Sequence, residues 1–323
     1  MARVAVLTSG GDAPGMNAAI RAVVRCGVLQ GLQMFGVRRG YSGLIAGEFV
    51  HLGPREVGGI IHQAGTVLET SRCEAFKTEA GRQAALKQLH DHDISNLIVI
   101  GGNGSQTGSF ALAELGMRVI GIASTIDNDL YGTDVSIGTS TALDTALGAI
   151  DCLRVTAASH ERAFIVEVMG RHSGYLAVSA AIAGGAEAVV IPEMETEPDD
   201  LVRQLRASRE RGKKHAIVVV AEGAKYNADA LVRYFDLHAD KIGIQLRMTR
   251  LGHVQRGGVP GAFDRILASR LGAAAIELIG HGQSGCLVGL CRGEVVHTPL
   301  SEVARNSKSL DPHLLELARA LAT

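Results

Sequence analysis

Two carboxylates stand two positions apart in the run Thr125-Ile126-Asp127-Asn128-Asp129, and these side chains are the best placed in the sequence to do chemistry. In an extended segment alternate side chains project to one side, so Asp127 and Asp129 would face together. One can accept a proton from an attacking hydroxyl while the other helps to hold a magnesium ion, directly or through water, as phosphoryl transfer requires. The same run also suits a solvated Asx-rich turn with no chemistry. Two glycine-rich stretches, Ser9-Gly10-Gly11-Asp12 and Gly101-Gly102-Asn103-Gly104-Ser105, each follow an apolar run. Each is expected to open a helix, aiming backbone N–H groups and a positive helix end at a phosphate, with glycine needed because a Cβ would obstruct close approach. Either alone serves equally as a strand-ending turn. Together they favour a nucleotide site, with a dinucleotide-binding fold still open because neither is a GxGxxG with its downstream acid. Arg72, Arg162, Arg171, Arg247 and Arg256 offer the planar fork that phosphates favour. Arg171 lies within Met169-Gly170-Arg171-His172-Ser173-Gly174, and Arg256 lies among the glycines of Gly252–Gly258; both stretches read as loops that grip an anion.

The elements that must position these residues follow one grammar of apolar strand, glycine-rich turn and helix. Val4–Leu7 precedes the first turn, and Met16, Ala19, Ile20, Val23, Val24 and Val28 then recur at helical spacing. Further strands are predicted at Leu97–Ile100, Val119–Ile122, Phe164–Val168, Ala188–Ile191 and Ala216–Val220, each separated by enough chain for a crossover helix. That alternation implies an α/β fold with mostly parallel sheet covered on both faces, and ligand loops at the carboxyl ends of the strands. Glu193–Asp200, with Pro192 and Pro198, reads as a surface loop before a helix. His90-Asp91-His92-Asp93 reads as a solvated loop at a helix end, not a metal site.

A chain of 323 residues, 46% hydrophobic, favours two domains with a substantial core. Lys and Arg number 32 against 33 Asp and Glu, so there is no basic surplus to drive binding to nucleic acid or a membrane surface. No apolar run approaches the ~18 residues of a membrane span and Met1–Leu7 lacks a leader pattern, so a cytoplasmic protein is expected. Cys26, Cys73, Cys152, Cys286 and Cys291 form no CxxC pair, which points away from a disulfide framework or zinc site.

The stretches LTSGGDAPGMNAAIR, TIDND, EVMGRHSG, GKKHAIV, LGHVQRGG and DRILASR, in this order and spacing, closely resemble bacterial 6-phosphofructokinases over nearly the whole chain. The resemblance implies two Rossmann-like three-layer domains with the active site in the cleft between them. Residues 1–138 plus about 255–305 would bind nucleotide, and 139–254 plus about 306–323 would bind sugar phosphate. Asp127 would take the proton from the 1-hydroxyl of fructose 6-phosphate, Thr125 would orient the transferring group, and Arg171 would stabilise its charge. ATP would lie against Gly11, Tyr41, Arg72, Gly102, Asn103, Gly104 and Ser105, with Mg2+ at Asn103 and Asp129. Thr125, Asp127, Met169, Gly170, Arg171, Glu222, His253 and Arg256 would hold the sugar phosphate, with Arg162 and Arg247 reaching in from a neighbouring subunit. An oligomer, usually a tetramer of identical chains, is implied. Arg21, Arg25, Arg154, Gly185, Glu187, Arg211 and Lys213 match residues that bind the effectors ADP or phosphoenolpyruvate between subunits.

The sequence departs from the family at several of these places. Asn103 replaces an acid associated with magnesium, a charge whose attraction to another unit charge about 4 Å away is on the order of 4 kcal/mol at an effective dielectric near 20. Gly104 matches ATP users, since pyrophosphate users carry an acid there; Ser124 is neither the glycine of the former nor the lysine of the latter. Glu69 and Ser71 stand where Gly and Ala are usual, and Pro54 and Gly59 replace an Arg and an Asp of the effector site. The alternatives are the same chemistry from pyrophosphate or onto another sugar phosphate, and a catalytically weak sensor of nucleotide and sugar phosphate.

Overall fold

The computed structural model describes residues 2–322, and the chain divides into two compact units, Met1–Thr141 with Arg256–Lys308 and Ala142–Gln255 with Ser309–Thr323. In chain order the elements of the first half are β1 (Arg3–Thr8), α1 (Met16–Leu29), β2 (Gln33–Val37), α2 (Gly40–Ala46), β3 (Phe49–Leu52), α3 (Glu79–Asp91), β4 (Ile94–Gly101), α4 (Asn103–Glu114), β5 (Val119–Ala123) and α5 (Thr139–His160). There follow β6 (Ala163–Val168), α6 (Tyr175–Gly184), β7 (Ala188–Val190), α7 (Pro198–Glu210), β8 (Ala216–Ala221), α8 (Ala228–Leu237), α9 (Ala239–Ile242), β9 (Leu246–Arg250), α10 (Ala262–Gly280), β10 (Cys286–Cys291), β11 (Glu294–Pro299), α11 (Leu300–Arg305) and α12 (Pro312–Leu321).

The first unit is built on a sheet of order β11-β10-β5-β4-β1-β2-β3. Its inner strands are parallel, while β3 and β11 join the edges antiparallel. Ala5, Leu7, Leu97 and Val99 share one core with Leu44, Leu89, Leu112 and Leu300 from the helices. The alternating residues Val4, Val6, Ile98 and Ile100 are also fully buried, so helices cover the other face as well. The second unit has the order β7-β8-β6-β9, all parallel. Ile165, Val190, Val218 and Val220 pack there with Leu201, Leu205, Leu231 and Phe235. Among the described residues no helix is long and apolar enough to cross a membrane.

The structure corrects several boundaries. Only the second glycine turn opens a helix directly. After Ser9–Asp12 the chain makes a further turn in which Met16 N–H donates to the Ala13 carbonyl, Gly15 takes φ 105°, and α1 starts at Met16. Pro198 begins α7 instead of belonging to the loop, because proline suits the first helical position and Asp199 and Asp200 complement the helix dipole.

The start of α5 depends on one buried carboxylate. Asp264, fully buried in α10, accepts from Gly138 N–H and Thr141 N–H, each at 2.8 Å, and from the Thr141 hydroxyl at 2.6 Å. Truncation would leave buried donors unpaired. Asp264→Ala is expected to cost about 3 kcal/mol or more and to lower the thermal midpoint by several degrees, measured by calorimetry.

Candidate active site

In the first unit three loops leave the carboxyl ends of the adjacent strands β1, β4 and β5. Ser9 N–H donates to the Ile100 carbonyl at 3.0 Å, and Ser124 N–H to the Gly101 carbonyl at 3.2 Å, so the loops remain tied together past the strands. A Cβ on Gly101 would lie 2.6 Å from the Ser9 carbonyl oxygen, which is why this contact needs glycine, and one on Gly102 would press on Thr125 Cβ at 3.2 Å. At Gly104 the space is open. Ser105 is buried, and its carbonyl accepts from the Tyr41 hydroxyl at 2.7 Å. Tyr41 itself is buried and stacked on Phe76 with ring centroids 3.9 Å apart, and burial pushes its phenol well above the usual range. It stands beneath the loop as a support. Arg72 is exposed. The Arg256 guanidinium lies over Gly11, where any Cβ would displace it, and its Nη1 is 3.8 Å from Asp12 Oδ1.

The carboxylate loop is held on its buried side. Ile126, Asn128 and Leu130 are buried while Thr125, Asp127 and Asp129 are half-exposed, so the alternation expected from sequence appears in the burial. The backbone is not a regular strand, since Asn128 has φ 51°. The Asn128 amide compensates by donating to the Asp134 carbonyl at 3.1 Å and accepting from Ser136 N–H at 3.1 Å. The Thr125 carbonyl accepts from the Ser136 and Thr139 hydroxyls, and Thr125 Oγ1 accepts from Asp127 N–H at 3.2 Å. Asn103 Nδ2 donates to the Asp129 carbonyl at 3.3 Å. Ser124 is buried with its hydroxyl 3.4 Å from the Ile137 carbonyl. Among the described residues no three His, Cys, Asp or Glu side chains converge to hold a metal ion. Magnesium does not need such a cage, because it keeps several waters and takes one or two carboxylates besides substrate phosphates. Half-exposed Asp127 and Asp129 are a donor set of that kind.

In the second unit Met169, Gly170 and Arg171 follow β6, Glu222 follows β8, and His253 lies in the short turn after β9. Gln255, missed by sequence reasoning although it lies inside LGHVQRGG, is fully buried and accepts from Met169 N–H at 2.7 Å. Gly170 has φ 134°, and a Cβ there would run into the Ser173 carbonyl oxygen. A Cβ on Gly223 would likewise meet the Arg171 carbonyl. Arg171 and His253 are exposed and Glu222 half-buried. Arg162 and Arg247 are not brought to this end of the sheet. Arg162 immediately precedes β6, and Arg247 pairs with Phe164 near the start of the same strand. At about 3.3 Å per residue, Arg162 is roughly 20 Å along β6 from Met169. Arg162 borders a cavity of about 240 Å³ also lined by Arg209, Lys213, Lys214 and one acid, Glu161, which pairs with Lys214.

Residues 3–279 match the phosphofructokinase family model. The ATP-dependent 6-phosphofructokinase of Thermotoga neapolitana is 51% identical over 323 residues, and ATP-dependent 6-phosphofructokinase 1 of Thermus thermophilus is 52% identical over 324; both alignments cover 100% of either chain. The chain belongs to the phosphofructokinase family. The structure of Pichia pastoris phosphofructokinase in the T-state superposes with a TM-score of 0.89 at 36% identity, over 94% of this chain and 35% of the longer yeast chain. The two-unit α/β architecture is therefore the phosphofructokinase fold.

Of the positions that match the family's effector residues, Arg21 and Arg25 lie on α1 in the first unit, and the others lie in the second. Arg154 donates to the carbonyls of Gly184 and Gly185 at the end of α6, where Gly185 is left-handed. Glu187 is buried and accepts from Lys213 Nζ at 3.3 Å and from Ile217 N–H at 2.7 Å. Arg211 lies 3.4 Å from the Ala322 carbonyl. Arg154, Glu187 and Lys213 thus have structural partners within their own unit. In the second unit the loop after β6 leaves no room for a side chain at Gly170. Gly170→Ala is expected to destabilise by about 2 kcal/mol, from a left-handed backbone and a carbonyl that cannot retreat, read as a lower thermal midpoint in calorimetry.

Proposed function

We propose that this chain is an ATP-dependent 6-phosphofructokinase, moving the γ-phosphoryl of ATP to the 1-hydroxyl of fructose 6-phosphate and giving fructose 1,6-bisphosphate and ADP. The observation that carries this function is the meeting of Gly101–Ser105 with Thr125–Asp129, in a chain about half identical over its full length to relatives named for that reaction. The open N-terminus of α4 suits the donor phosphates, with Gly11, Arg72 and Ser105 alongside and Tyr41 supporting from below. Asp127 accepts the proton of the attacking hydroxyl, Thr125 orients the transferring group, and Arg171 stabilises its charge. Met169, Gly170, Glu222, His253 and Arg256 hold the sugar phosphate. A magnesium ion held by Asp129 and by water would neutralise phosphate charge during transfer.

Two observations favour ATP over pyrophosphate. Gly104 leaves open space where an acid would crowd a nucleotide, and Ser124 is buried with its hydroxyl toward the Ile137 carbonyl, adding neither the charge nor the bulk of a lysine. The place of Arg162 and Arg247 at the far end of β6 from Met169 supports their serving the sugar phosphate of a second copy; in our reading the working enzyme is an oligomer, a tetramer in the cytoplasm. ADP or phosphoenolpyruvate would act through Arg21, Arg25, Arg154, Gly185, Glu187, Arg211 and Lys213.

Purified protein with fructose 6-phosphate and Mg2+ should turn over with ATP and not with pyrophosphate. Asp127→Asn should lower kcat about 10²- to 10⁴-fold with the fold intact. Turnover with pyrophosphate alone would overturn the choice of donor, and an Asp127→Asn enzyme at full rate would overturn the choice of base. Mixing Asp127→Asn with Arg162→Ala subunits, each nearly inactive, should restore activity if sites are shared; two variants that stay inactive when mixed would contradict a shared site.

A further inference from the structure

We infer that Asn103 is a positioning residue, whose side-chain amide ties the carboxylate loop to the first turn of α4 and leaves magnesium to Asp129. This inference rests on the proposed phosphoryl transfer. The Asp129 carbonyl accepts from Asn103 Nδ2 at 3.3 Å and from the backbone N–H of Lys308 at 3.2 Å. A carbonyl has two lone pairs, so these donors satisfy it from two separate parts of the chain.

The post to which the loop is tied is rigid. Buried Gln106 donates from Nε2 to the carbonyls of Val99 at 3.2 Å and Gly101 at 3.0 Å, the Thr107 hydroxyl donates to the Asn103 carbonyl at 3.0 Å, and Tyr41 holds Ser105. Beyond the isolated Ser124–Ile137 bridge the loop is held by side-chain contacts instead of a regular ladder, and Asn128 within it is left-handed. Lys308 reinforces it from the other side, donating from Nζ to the Asp134 carbonyl at 2.5 Å. Burial lowers the pKa of that ammonium, while Asp134, Cys291 and Asp129 oppose the shift.

The chemistry of the contact distinguishes Asn from the acid it replaces. A carbonyl only accepts, so the atom of residue 103 that faces it must donate, and a carboxylate cannot. An aspartate here would set oxygen against oxygen and turn away. Asn103 therefore contributes a donor that an acid lacks, and Asp127 and Asp129 are fixed relative to the helix end before any metal binds.

The test uses the full-length protein with Asn103→Ala and Asn103→Asp, and reads amide hydrogen exchange over residues 127–136 and at Lys308 in metal-free buffer, then Mg2+ titration of ATP turnover. Both variants should exchange about five- to tenfold faster in the loop, the scale of one lost hydrogen bond, and Mg2+ should reverse this in Asn103→Asp alone. In Asn103→Ala, kcat should fall about tenfold while the Mg2+ concentration for half-maximal rate moves less than about twofold, because the lost group positions the loop without binding the ion. Wild-type exchange in either variant would overturn the clamp. A tenfold or larger rise in the Mg2+ requirement of Asn103→Ala with unchanged exchange would make Asn103 a metal ligand instead. Should the wild-type protein turn over neither ATP nor pyrophosphate, the proposed reaction fails and the exchange measurement still decides the clamp.

Discussion

The parallel ladder joining β1, β4 and β5 does not stop at the last strand residue. Ser9 N–H reaches the Ile100 carbonyl and Ser124 N–H reaches the Gly101 carbonyl, so the three loops that follow emerge already in contact. Everything chemically distinctive in the first unit depends on that extension. It sets Gly102 against Thr125, brings Asn103 within a hydrogen bond of Asp129, and leaves α4 pointing its free N–H groups outward at Gly104. Glycine at 101 is the steric condition for this packing, more than a source of flexibility.

The second unit solves a different problem with the same architecture. The loops after β6 and β8 pack backbone on backbone through Gly170 and Gly223, and Gln255 fixes the Met169 amide from the turn after β9. Strand length then separates these loops from Arg162 and Arg247, which lie near the opposite end of β6.

Much of this was legible in the sequence because the buried parallel strands are near-continuous apolar runs, and six of them stand out on pattern alone. Two parallel inner strands, β2 (QMFGV) and β10 (CLVGLC), nonetheless escaped, and the others that escaped are of other kinds. β9 reads LRMTR and is exposed along most of its length, while β3 and β11 are half-exposed edge strands carrying His51, Glu294 and His297. Tight turning at left-handed Arg292 and Gly293 makes the β10–β11 hairpin, which neither residue pair advertises as Asn-Gly would. At the site, the TIDND alternation and the glycine turns were readable as local chemistry. Asp264, Gln255 and Lys308 were not, because each acts on backbone groups far away in sequence, and no periodicity encodes such a partner. Ser124 shows the same limit: its burial and the turn of its hydroxyl to the Ile137 carbonyl depend on a partner thirteen residues on.

The central claim is transfer from ATP to the 1-hydroxyl of fructose 6-phosphate by a site centred on Asp127. Phosphorus-31 NMR of the purified protein with ATP, Mg2+ and fructose 6-phosphate tests it most directly, because it identifies both the bond broken and the bond formed. Conversion of ATP to ADP in step with a new phosphomonoester at C1 is the expected result, abolished in Asp127→Asn. ATP left intact, or consumed with release of free phosphate and no sugar 1-phosphate, would contradict it.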